Sequence, residues 1–86
     1  MTVEDVRQQI QSLVPQSTVY VLDPMQDGQH LQALVISPVF EGMPLIKQHQ
    51  MIMKPLKETM QHEIHALGLK TFTPTKWQDA RIEYNL

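Results

Sequence analysis

The stretch His30-Leu31-Gln32-Ala33-Leu34-Val35-Ile36-Ser37-Pro38-Val39-Phe40-Glu41-Gly42-Met43-Pro44 decides the fold. Its first part, His30 to Ile36, is apolar and β-branched enough to read as a strand. Ser37 and Pro38 then supply a cap and a first-turn proline, Gly42 a stop, and Pro44 a second first-turn proline. The expectation is a strand, a short helical turn over Pro38 to Glu41, and a longer helix from Met43 onward, in outline a helix-turn-helix.

Upstream, Ser17-Thr18-Val19-Tyr20-Val21-Leu22 is also rich in β-branched and aromatic residues and is closed by Asp23-Pro24. It reads as a strand paired antiparallel to His30–Ile36 through the polar loop Met25 to Gln29. Before it, Thr2-Val3-Glu4-Asp5 has the chemistry of a capping box, and Val3, Val6, Ile10, Leu13 and Val14 recur at helical spacing. Pro15 drives Val14 out of the helical basin, so the first helix spans Val3 to Leu13.

Downstream, Leu45, His49, Ile52, Leu56 and Met60 share one face of the longer helix, and Lys47, Gln50, Lys54 and Lys57 share a polar, basic one. Pro55 lacks a donor and clashes with the carbonyl of Met51, so a kink or a split is expected there, with a second segment running through Met60. The period then changes: Ala66 to Thr73 reads as a third strand, and Thr73-Pro74 caps a last short helix containing Trp77. The order is α-β-β-α-α-β-α. A helical crossover joins neighbouring parallel strands, which brings the starts of the second and third strands, with His30 and His65, to one sheet edge. The face from which each histidine projects stays open, because one residue of register reverses it.

The 86 residues allow one domain, 1–86, and 42% hydrophobic with 19% charged residues is the balance of a chain with a packed core. The absence of cysteine excludes a disulfide-stapled miniprotein, a thiolate nucleophile and sulfur ligands from this chain. A formal charge of −2 and a pI near 6.0 give no global field toward phosphate or anionic lipid. No apolar run approaches the roughly 18 residues of a membrane span, and the start is acidic, so a cytoplasmic protein without a membrane partner is expected.

No phosphate loop, dinucleotide fingerprint, zinc-protease helix or nucleophile elbow is present, so no enzyme is expected. His62 and His65 lie three apart, but the strand beginning at Ala66 makes that spacing a poor zinc face. His30 and His65 could together ligate one metal completed by another molecule; equally, each could be an ordinary surface histidine. His49, on the apolar stripe, fits a partly buried, hydrogen-bonded role. Lys47, Lys54 and Lys57 could track phosphates, or form a solvated face; the stripe holds no arginine to read guanine. Met43, Met51, Met53 and Met60 read mostly as core filler.

Ser37-Pro38-Val39-Phe40-Glu41-Gly42, Leu45-Ile46-Lys47-Gln48-His49-Gln50, Ile64-His65-Ala66-Leu67 and Thr71-Phe72-Thr73-Pro74 with Trp77 together resemble the BolA family, in order and over nearly the whole chain to Trp77. The resemblance implies an α+β, KH-like (class II) α-β-β-α-α-β sandwich with a three-stranded mixed sheet and helices on one face. It also implies an adaptor that pairs with a monothiol glutaredoxin and glutathione to hold a [2Fe–2S] cluster between them, in iron homeostasis and cluster trafficking. The family's cluster histidine falls on His65. The second ligand, which the family takes from the loop between the first two strands or from the start of the second, falls on His30. The chain alone is then expected to be cluster-free, as a monomer or weak homodimer. The alternative implied is a DNA-binding regulator using Lys47, His49, Lys54 and Lys57. Gln48 and Gln50 stand where many members carry arginine, which weakens that alternative, and Pro55 stands where a helix former is usual.

Overall fold

In the computed structural model, which describes residues 2–27, 30–60 and 66–86, the chain begins with helix α1, Val3–Leu13. Thr2 caps it: its hydroxyl accepts from the Asp5 backbone, and its own amide donates to the Asp5 carboxylate. The Thr2 amide above all, and then its hydroxyl, hold the Asp5 carboxyl below the usual aspartate range. Strands β1 (Thr18–Leu22) and β2 (His30–Ile36) follow, then a 3-10 turn over Pro38–Phe40 and helix α2, Leu45–Met60. Strand β3 (Ala66–Phe72), helix α3 (Pro74–Ala80) and a second 3-10 turn over Arg81–Tyr84 complete the chain.

The sheet has the order β1-β2-β3, with β1 antiparallel and β3 parallel to β2. Leu31, Ala33 and Val35 of β2 join Val19 of β1 against Val6, Ile10 and Val14 of the first helix region and Ile52 and Leu56 of α2. The alternate residues, Leu34 and Ile36 with Tyr20, Leu22 and Phe72, meet Trp77 on the other face. The period of 2 along β2 therefore feeds two cores. The two long helices share one face, as expected for the sandwich. The last helix, which follows the α-β-β-α-α-β core, covers the other. There Trp77 stacks between Tyr20 and Tyr84, with ring centroids 5.7 and 6.0 Å away, and Phe72 lies at 5.1 Å. Lys70 donates to the Tyr84 hydroxyl at 3.1 Å, which raises its pKa.

Ser37 ties the layers together. Fully buried, it donates its hydroxyl to the Pro15 carbonyl at 2.6 Å and accepts from the Val39 amide, while its own amide donates to Phe72 at the end of β3. Gly42, at φ +72°, supplies the left-handed residue that turns the chain toward α2.

Three expectations are corrected. Pro55 does not open a second helical segment: α2 is a single helix of 16 residues with Pro55 inside it. Ile52 and Leu56, on either side of the proline and both buried, anchor the helix to the sheet through the disturbed turn. Pro44 lies one residue before the helix rather than in its first turn, and its carbonyl accepts from the amides of Lys47 and Gln48. Leu45, assigned to the apolar face, is 61% exposed, and the first turn of α2 meets the sheet through Gln48, which accepts from the Thr71 hydroxyl of β3.

Candidate functional site

β2 begins at His30, and the parallel ladder pairs His30 with Ala66, the first residue of β3. The crossover rule thus holds: the starts of these two strands share one edge of the sheet. His30 has the strand parity of Gln32, Leu34 and Ile36, whose apolar members face Trp77. His65 and His62 lie outside the described residues, and with them the separation of His30 from His65.

The turn leading into β2 orients His30. Asp23 accepts from the amide of Gln26 through its carbonyl and from the amide of Asp27 through its carboxylate. Gln26 takes a left-handed conformation, φ 53°, which folds the chain back. Asp27 then reaches His30 twice, its Oδ1 accepting the His30 amide at 3.0 Å and its Oδ2 lying 2.7 Å from Nδ1 of the ring. The His30 side chain keeps 51% of its exposure. Sequence reading missed Asp27; the signal available was an aspartate three residues before a histidine in the sequence.

Of the other expected residues, Lys47, Lys54 and Lys57 are exposed and share the outward side of α2 with Gln50, and His49 is half-buried on the same helix. Gln48 was noted in the sequence only as a lost cation. Its amide donates to the carbonyls of Met43, at 2.7 Å, and Phe40, and its oxygen accepts from the Thr71 hydroxyl of β3. It gives the Met43 carbonyl a donor and adds a second to the Phe40 carbonyl, which also accepts the Met43 amide, at the turn before α2. Beside it is a cleft of about 420 Å³ lined by Phe40, Glu41, Met43, Leu45, Thr73 and Lys76 among others. Among the described residues, no three His, Asp or Glu side chains converge as a metal site, and no helix is long and apolar enough to cross a membrane.

This architecture has close counterparts. A structure of a bolA protein homologue from Coxiella burnetii superposes with a TM-score of 0.76 at 35% identity, covering 91% of this chain and 97% of that one. The acid stress protein IbaG of Escherichia coli K12 is 36% identical over 52 residues, 59% of this chain and 62% of the relative. The DNA-binding transcriptional regulator BolA of Haemophilus influenzae is 37% identical over 49 residues, 57% of this chain and 48% of the relative. These alignments thus span between about half and three-fifths of the curated relatives' length. The family description "BolA-like protein" matches residues 3–76, from the first residue of α1 into α3, and with the shared α+β fold this makes the chain a member of the BolA-like family.

Proposed function

We propose that this chain is an adaptor that pairs with a monothiol glutaredoxin and glutathione and shares a [2Fe–2S] cluster with them, in iron homeostasis and cluster trafficking. The observation that carries the reading is the parallel register that sets His30 opposite Ala66, the residue directly after His65 in the chain. The donor chemistry fits: His30 is half-exposed, its Nδ1 is occupied by a carboxylate, and a neutral imidazole nitrogen is an established alternative to thiolate at such clusters. His30 and His65 are the residues that would hold one iron, the partner's thiolate and glutathione the other. Imidazole ligation supplies a higher reduction potential and a more labile, transferable cluster than four thiolates would. With no cysteine in this chain, every thiolate ligand would come from the other molecules.

Mixing the purified chain with a monothiol glutaredoxin, iron, sulfide and glutathione is expected to change the visible circular dichroism of the glutaredoxin-bound cluster. His65→Ala should abolish that change, and His30→Ala should weaken it strongly, with far-UV spectra unaltered. An unchanged visible spectrum on adding the wild-type chain would defeat the reading.

A second reading has its own support in the Haemophilus relative's description and in the exposure of Lys47, Lys54 and Lys57. If α2 tracks phosphates, the chain retards duplex DNA at sub-micromolar concentration and low salt, and Lys54→Glu lowers both the affinity and the salt slope. Retardation that is insensitive to that substitution would count against α2 as the DNA-binding element.

A further inference from the structure

We propose that Asp27 is a positioning residue for His30, fixing its neutral ring in the Nδ1–H tautomer so that Nε2 is left as the nitrogen free to bind metal. This inference rests on the adaptor reading for its purpose, and on the geometry of the turn for its substance. An ionised carboxylate can only accept hydrogen bonds. With Oδ2 2.7 Å from Nδ1, the ring proton sits between them, and the lone pair of the neutral ring falls on Nε2. The other oxygen, Oδ1, accepts the His30 backbone amide at 3.0 Å, so the carboxylate grips ring and main chain at once and limits rotation of the side chain. The grip is itself supported, because Asp23 accepts the Asp27 amide at 3.2 Å and closes the turn that presents it. A carboxylate behind a histidine is the arrangement by which metal sites set both ring orientation and ligand basicity, and its loss typically costs about 10- to 100-fold in metal affinity.

The decisive substitution is Asp27→Asn, which keeps size and shape. The carboxamide retains one acceptor oxygen for the His30 amide and turns its NH2 donor toward Nδ1. That reverses the hydrogen-bond demand on the ring and favours the Nε2–H tautomer. Two-dimensional 1H–15N spectra of the free chain, recorded through the ring couplings at a pH where His30 is neutral, read the tautomer directly; His30→Gln identifies the resonances. The wild type is expected to show Nδ1–H, Asp27→Asn a shift toward Nε2–H, and Asp27→Ala a mixture, with backbone amide spectra preserved outside the turn. In the glutaredoxin mixture, Asp27→Asn should then weaken cluster sharing about 10-fold or more.

A wild-type ring protonated at Nε2, or a tautomer unmoved by both substitutions, overturns the inference, as does undiminished cluster sharing by a variant whose tautomer has reversed. Because the ring spectra need neither cluster nor partner, failure of the wild-type chain to share a cluster would sink the adaptor reading while leaving the tautomer assignment standing.

Discussion

Replacing Trp77 with alanine is expected to cost about 3–5 kcal/mol of folding stability, the range for deleting a buried aromatic side chain. Trp77 is 8% exposed and makes ring contacts with Tyr20 of β1, Phe72 of β3 and Tyr84 of the last turn. Removing it takes out the centre of the smaller core and leaves Leu34 and Ile36 uncovered on that face of the sheet. A domain of this size has roughly 4–13 kcal/mol in total, at about 0.05–0.15 kcal/mol per residue, so the loss is a large share of the whole. Urea unfolding followed by far-UV circular dichroism measures it, with Trp77→Phe expected to retain more than half of the lost stability. A change under about 1 kcal/mol for the alanine variant would mean that the outer face contributes little and that one core, not two, holds the domain.

The second large effect has the opposite sign. Pro55→Ala is expected to stabilise the chain by about 2 kcal/mol. Proline in a helix interior is about 3 kcal/mol less favourable than alanine, because its nitrogen cannot donate to the carbonyl four residues back and its ring crowds that carbonyl. Here that carbonyl belongs to Met51, within the continuous helix. The opposing term is the extra freedom alanine gives the unfolded chain, worth up to about 1 kcal/mol. The net gain corresponds to a rise in Tm of roughly 4–8 °C per kcal/mol for a domain of this length. Calorimetry reads it directly; a lower Tm would show that the proline ring is needed for packing more than its missing donor is harmful.

Those two residues also show what a sequence can reveal. Trp77 was identifiable as the centre of a capped last helix, because Thr73-Pro74 is local chemistry: the hydroxyl accepts from Lys76 and the proline occupies the first turn. The same holds for Thr2 with Asp5 and for Ser37 with Pro38, and the bounds of α1 and β2 follow from them. The parallel pairing of β2 and β3 was legible from the helical crossover that joins them rather than from any single residue. Pro55 was misjudged because the penalty of a proline is local, whereas the burial of Ile52 and Leu56 that outweighs it depends on a sheet remote in sequence. Leu45 was placed on the apolar face because hydropathy predicts which side chain avoids water and ignores the carbonyls that a polar neighbour such as Gln48 satisfies. The link between Asp27 and His30 depends on a left-handed residue at Gln26, which no apolar pattern announces.

The ladder between β2 and β3 is also a ruler. From His30 paired with Ala66 to Ile36 paired with Phe72 it advances six steps, which at about 3.3 Å each is roughly 20 Å. The cleft beside Gln48 and Thr71 belongs to the far pole, with Glu41 and Lys76 as its charges. Ions at physiological strength damp fields between exposed charges over about 8 Å, so the two poles are electrically almost deaf to one another. Whatever settles at one pole can be strengthened or weakened by salt and substitution without retuning the imidazole at the other.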